Sequence, residues 1–227
     1  MKYTENHRLG EVISDNYKLL LVISRFGISC GFGDKSIKSI CQERNVDCDT
    51  FLAVINYTAN GDTCGINNIS TKAMTDFLRS SHRYYIDFCF PQMKHKLEEA
   101  IDSKNNKVAE LIINFFDKYV AEVSKHLLHE EKKVFPYVEN LNNGILPEEP
   151  LTMTRYNRKH EQIDNMLSEL KNIIIKYYPD NGKANALNSA LYDLFSCEED
   201  LKSHCEIEDN LYIPAVMALE KSVKGGK

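Results

Sequence analysis

No Cys-x-x-Cys pair occurs among the seven cysteines (30, 41, 48, 64, 89, 197 and 205), and an odd count leaves one thiol over if all the others bridged. A secreted disulfide framework is therefore not the organising principle, and a reducing cytoplasm is the simpler expectation. No segment approaches the roughly eighteen uninterrupted apolar residues of a membrane span. The opening residues, MKYTENHRLGEVIS, also lack the apolar stretch of a signal peptide, so neither export nor a membrane partner is expected. Excess positive charge is missing too: the net charge is −5 and the pI about 5.8. Nucleic-acid binding needs a cationic face that displaces counterions from phosphate, and even residues 1–57 carry seven Lys/Arg against seven Asp/Glu. Glycine-rich phosphate loops are absent, and His129-Glu130-Glu131 lacks the second histidine of a zinc-protease helix.

What is present is a doubled pattern of histidine and glutamate. His82 and His126 stand 44 positions apart, as do His160 and His204, and each second member opens the same phrase. The phrases are His126-x-x-x-Glu130 followed by Pro136, and His204-x-x-x-Glu208 followed by Pro214. Every member of the first set recurs 78 positions later, which reads as a duplicated helical hairpin. The Glu-x-x-His spacing of ferritin-like diiron oxidases is not the spacing found.

Periodicity places these residues on helices. Leu187, Ala190, Leu194, Cys197, Leu201, His204, Glu208, Leu211 and Ala215 follow alternating steps of three and four. So do Met153, Tyr156, His160, Ile163, Leu167, Leu170, Ile174 and Tyr177, and again Ile112, Phe116, Tyr119, Val123, His126 and Glu130. The candidate ligands occupy core positions of these stripes. The expected fold is all-α: an up-down-up-down four-helix bundle over 70–220, after a small three-helix N-terminal domain (1–57) and a linker (58–69), with a tail at 221–227. The three short helices are expected to be capped at Ser14 or Asp15, at Asp34 or Ser36, and at Asp49. Between the first two, the glycines of Phe26-Gly27-Ile28-Ser29-Cys30-Gly31-Phe32-Gly33 force a turn with Cys30 at its tip. Cys30 is the candidate reactive thiol, its alternative being a small half-buried turn residue. Pro91, Pro136 and Pro214 should kink their helices.

The spacing also sets the level at which the ligands meet. His82 and His126 each lie 22 residues from the bend near Lys104, and His160 and His204 each lie 22 from Gly182. At a rise of about 1.5 Å per residue both arms reach roughly 33 Å from their turns, so the four imidazoles are expected in one cross-section. Each glutamate follows its histidine by four, on the same face and one turn on. Six such ligands, His82, His126, Glu130, His160, His204 and Glu208, suit two ions some 3.5–4 Å apart. Nitrogen and oxygen donors without thiolate favour iron or manganese over structural zinc, and iron is the expected metal, with manganese or zinc behind it. Glu131 and Glu161 adjoin ligands and are read equally as acceptors for imidazole N–H groups or as solvated surface. Cys89, Cys205, Tyr85, Tyr119 and Tyr156 are read as packing, and His95 as surface.

The phrases His126-Leu-Leu-His-Glu130-Glu-Lys-Lys-Val-Phe-Pro136 and His204-Cys-Glu-Ile-Glu208-Asp-Asn-Leu-Tyr-Ile-Pro214 resemble the paired signature of hemerythrin-like cation-binding domains. The runs Leu9-Gly-Glu-Val, Arg25 to Gly33 and Ser36 to Cys41 are similar to the small domain that precedes this bundle in the repair-of-iron-centres family. That resemblance covers most of the chain. It implies an oxo-bridged diiron centre with the four histidines as terminal ligands and Glu130 and Glu208 as bridges. It also implies a metal-binding repair protein, more an iron donor than a conventional enzyme, that restores damaged iron-sulfur clusters under nitrosative or oxidative stress. Damaged iron-sulfur proteins would be its clients, and a homodimer is compatible with it. The alternative role is binding or sensing of oxygen or nitric oxide. The chain departs from the family in carrying His82-Arg83 where two adjacent histidines are common, and a single Cys30 where relatives carry two cysteines.

Overall fold

A computed structural model describes residues 2–63, 68–101, 106–146 and 156–225, with the backbone alone at 156–162 and 164. Among the described residues there is no strand, only an isolated bridge between Arg8 and Ser36. The fold is all-α. The N-terminal helices are α1 (Leu9–Asp15), α2 (Leu19–Arg25), α3 (Ile37–Arg44) and α4 (Cys48–Asn60). The remainder comprises α5 (Thr71–Arg83), α6 (Phe90–Ala100), α7 (Lys107–His129), α8 (Phe135–Asn142), α9 (Tyr156–Tyr177), α10 (Ala184–Ile207) and α11 (Ile213–Gly225). π-helical turns join α5 to α6 (Tyr84–Cys89), α7 to α8 (Glu130–Val134) and α10 to α11 (Glu208–Tyr212).

The N-terminal segment thus has one helix more than the sequence suggests. Asn16 adopts an extended backbone (φ −144°, ψ 94°), which stops α1 before α2 begins and leaves Ser14 and Asp15 at a C-terminus instead of a cap. Ser36 caps α3 as expected, accepting from the Ser39 N–H at 3.3 Å. At α4 the cap is Asp47, which accepts from the Thr50 N–H at 2.8 Å, whereas Asp49 sits in the first turn where its charge suits the helix dipole. Gly27, Gly31 and Gly33 all have positive φ (74°, 98° and 63°), as the turn around Cys30 requires, and Cys30 is exposed.

The chain forms two compact units. One takes in Met1–Ser81, Lys133–Leu151 and His204–Lys227. Within it Phe26 packs on Phe51 and on Phe77 (ring centroids 5.1 and 4.8 Å apart), and the Asn56 amide pairs with both backbone groups of Tyr3 (2.7 and 3.0 Å). Thr75 shares a hydrogen bond with the Tyr212 hydroxyl (2.7 Å), and Arg79 donates to Glu139 (2.7 Å) while lying over the Phe135 ring. These contacts tie the N-terminal helices, α5, α8 and the π turn before α11 into one packed body.

The other unit takes in His82–Lys132 and Thr152–Ser203. Its core holds Phe90, Ile112, Phe116, Tyr119, Val123, Leu167, Leu170, Leu194 and Leu201. The expected stripes are buried at every described position from Ile112 to Glu130 and from Ala190 to Ala215, and at Ile163, Leu167, Leu170 and Ile174. Tyr177 departs from this: it ends α9 with 68% of its surface exposed. Met153 lies outside the described residues, as do the side chains of Tyr156, His160 and Glu161. Around the α9–α10 turn, Gly182 has φ 74° and Asn181 donates to the Ala100 carbonyl (2.8 Å). Lys171, buried on α9, pairs with Glu198 and lies over the Phe195 ring.

Cys41 on α3 is buried beside the half-buried Cys48. Burial, then Cys48 and Asp47, push the Cys41 thiol up to about 12. A folded value raised above the ordinary thiol value means that this contribution to stability is complete below pH ~9 and is lost as pH climbs towards 12. At pH 7.5 iodoacetamide should modify exposed Cys30 at least about tenfold faster than Cys41. Peptide mass mapping of labelled native protein checks this; equal rates would show that the α3–α4 packing is wrong.

Candidate metal centre

Each ligand phrase occupies the same place in its helix. His126 lies in the last turn of α7 and Glu130 opens the π turn after it; His204 lies in the last turn of α10 and Glu208 opens the next π turn. The helix ends at His129 and Ile207, the π turns, and the restarts at Phe135 and Ile213 all keep the 78-residue offset seen in the sequence. The sequence repeat is therefore a repeat of local structure.

Proline supplies the local cause. Pro91, Pro136 and Pro214 are the second residues of α6, α8 and α11. A proline in this setting offers no N–H, and its ring presses on the carbonyl four residues back. Those carbonyls belong to Asp87, Lys132 and Asn210, each within a π turn, where the widened backbone relieves the clash. The expected kinks are thus realised as π turns placed just before each proline. Their position puts the widened backbone at the glutamates.

Three imidazoles and two carboxylates are withdrawn from solvent: His82, His126 and His204 are 2%, 4% and 1% exposed, and Glu130 and Glu208 are 2% and 3% exposed. In the unit that holds His82, Glu130 lies between two rings. One of its oxygens is 3.3 Å from His82 Nε2 and the other is 3.2 Å from His126 Nε2. In the other unit His204 Nε2 is 3.3 Å from Glu208 Oε1. His82, Glu130, His204 and Glu208 each offer a buried ligand-capable atom within their own unit. His126 also faces Glu130, and His160 lies on α9 with its side chain outside the described residues.

The distances by themselves suit either a hydrogen bond or shared coordination, since nitrogen and oxygen donors about 2.1 Å from one ion sit about 3 Å from each other. The donor set discriminates between them. Two carboxylates buried among imidazoles cost several kcal/mol each unless their charge is compensated. Divalent cations would supply that compensation, and the two Glu130 oxygens face separate histidines. These donors are nitrogen and oxygen only, and such residues can hold a metal.

The neighbours divide clearly. Glu131 Oε1 lies 3.1 Å from His82 Nδ1, so this acid contacts an imidazole, while the Glu161 side chain lies outside the described residues. Cys89 is buried and donates to the Met93 thioether (3.6 Å), and Cys205 is buried beside His204. Tyr85 and Tyr119 are fully buried, Tyr85 stacking on Phe90 (5.9 Å) and Phe90 meeting Tyr119 edge-on (6.0 Å). His95 is 67% exposed beside Glu99 and takes no part. No helix of the described residues is long and apolar enough to cross a membrane.

Residues 73–216 match the Hemerythrin HHE cation binding domain. The chain is also similar to the iron-sulfur cluster repair protein ScdA of Staphylococcus haemolyticus (strain JCSC1435). Identity is 17% over 214 residues, which cover 92% of this chain and 96% of that protein.

A site that binds ions only when folded should lend its binding energy to stability. At a hundredfold excess over Kd this is about 2.7 kcal/mol per site, or roughly 5–10 °C in thermal midpoint for a chain of this length. Chelation of loaded protein should therefore lower the midpoint by that amount. Calorimetry checks it, and the double variant Glu130→Gln, Glu208→Gln should melt at one temperature with or without chelator.

Proposed function

The chain belongs to the hemerythrin HHE cation-binding family, and from that premise we propose that it is a diiron protein that restores damaged iron-sulfur clusters by supplying iron. The observation that carries this reading is Glu130, whose two oxygens face His82 and His126 separately. A bridging carboxylate of this kind, with Glu208 as its counterpart, suits two iron ions held as cargo. His160 completes the set of four histidines by its place in the 78-residue repeat. The similar protein from Staphylococcus haemolyticus, an iron-sulfur cluster repair protein, aligns with this chain almost end to end, which supports the cellular role. Repair follows nitrosative or oxidative damage in a reducing cytoplasm, with the damaged iron-sulfur proteins as clients.

The residues account for reversible loading. Imidazole and carboxylate bind iron only when deprotonated, so affinity falls as protons compete for the same atoms. Burial removes competing water and holds the rings at a fixed level of the helices, so binding does not require the ligands to be ordered first. No thiolate shares in the proposed set, which leaves the iron less tightly held than in a thiolate site and better suited to transfer.

Incubation of a nitric-oxide-damaged iron-sulfur enzyme with the iron-loaded protein should restore its activity, with a matching loss of iron from the protein. Activity assay and metal analysis after separation check both halves of that exchange. Retention of all the iron through repeated nitric oxide exposure, with no repair, would overturn donation and indicate a gas-binding or sensing protein.

A further inference from the structure

Glu130 and Glu131 are consecutive, yet both reach His82. Glu130 Oε2 is 3.3 Å from Nε2 and Glu131 Oε1 is 3.1 Å from Nδ1 of the same ring. In an α-helix, adjacent side chains diverge by about 100°. These two open the π turn Glu130–Val134, where more residues per turn bring neighbours closer in direction. The π turn thus lets two acids in sequence address the two nitrogens of one imidazole. They differ in setting: the Glu130 side chain is 2% exposed and that of Glu131 is 32% exposed. The 78-residue repeat places another acid, Asp209, directly after Glu208.

A neutral imidazole carries one proton, and the hydrogen bond made by one nitrogen decides which nitrogen keeps a free lone pair. A carboxylate accepting from Nδ1–H holds the proton there, turns Nε2 towards Glu130 and raises the basicity of Nε2. We propose that Glu131 is a positioning residue that fixes the His82 tautomer and thereby sets how fast the ion on the His82 side is released. The inference rests on the metal-loading reading above and deepens it, since it names the group that governs release. Glu131 reaches solvent while His82 does not, so a change at the surface of the protein is felt directly by a buried ligand.

The test compares wild type with E131A and E131Q, each loaded with ferrous iron and mixed with a colorimetric iron chelator. E131A should lose its faster-leaving ion roughly 10–100-fold sooner than wild type. E131Q, whose side-chain oxygen still accepts from Nδ1–H, should recover most of the wild-type rate. Nitrogen-15 spectra of the metal-free protein supply a second readout: His82 should carry its proton on Nδ1 in wild type and E131Q, and lose that preference in E131A. Loaded wild type and E131A releasing iron at rates within twofold, with the same His82 tautomer, would overturn the proposal while leaving the diiron reading intact. Equal losses in E131A and E131Q, accompanied by a lower melting temperature of both metal-free variants, would also overturn it and assign Glu131 a structural role. Wild type that takes up no iron would instead remove the diiron reading, and release control with it.

Discussion

Burial of Glu130 and Glu208 is the constraint on which the rest depends. Carboxylates withdrawn to 2% and 3% exposure demand compensation, and imidazoles four residues earlier on the same helix faces stand beside them. The hydrophobic stripes carry these groups inward, because Val123 and Leu201 precede the histidines on the same faces as His126 and His204. Packing that buries leucine and phenylalanine thereby also buries acid. Cations bound at these groups would compensate the buried charge.

The π turns translate this demand into backbone. A continuous α-helix through Glu130 or Glu208 would set the proline ring against the carbonyl four residues back; widening the turn avoids this and alters the direction of the residues that open it. Proline thus does more than end a helix here. Its place, six residues after each glutamate, fixes where the wide turn falls, and the wide turn in turn lets Glu131 contact His82. The chain Pro136, π turn, Glu131, His82 runs from a single residue type to the tautomer of a ligand.

Much of this was legible beforehand. Stripe residues such as Phe116, Tyr119, Leu194 and Leu201 are buried where their period put them, and the glycines around Cys30 adopt the positive φ that the turn requires. Helix termini were less readable. Asn16 breaks the first N-terminal helix although the local pattern could continue through it, and Asp47 takes the cap that Asp49 offered equally well in composition. Proline signalled a distortion at each of three helices but not its kind, since a kink and a π turn relieve the same clash. Glu131 could be read from its adjacency to Glu130 only as one of two options, because on an ideal α-helix it points away from the site.

The decisive measurement is metal analysis of the purified protein alongside Glu130→Ala and Glu208→Ala. Wild type should carry two irons per chain, with the paired optical bands of a bridged diiron centre, and either variant should lose both bands. A wild type that folds without metal, binds none when iron is supplied, and melts at the same temperature as the two variants would contradict it.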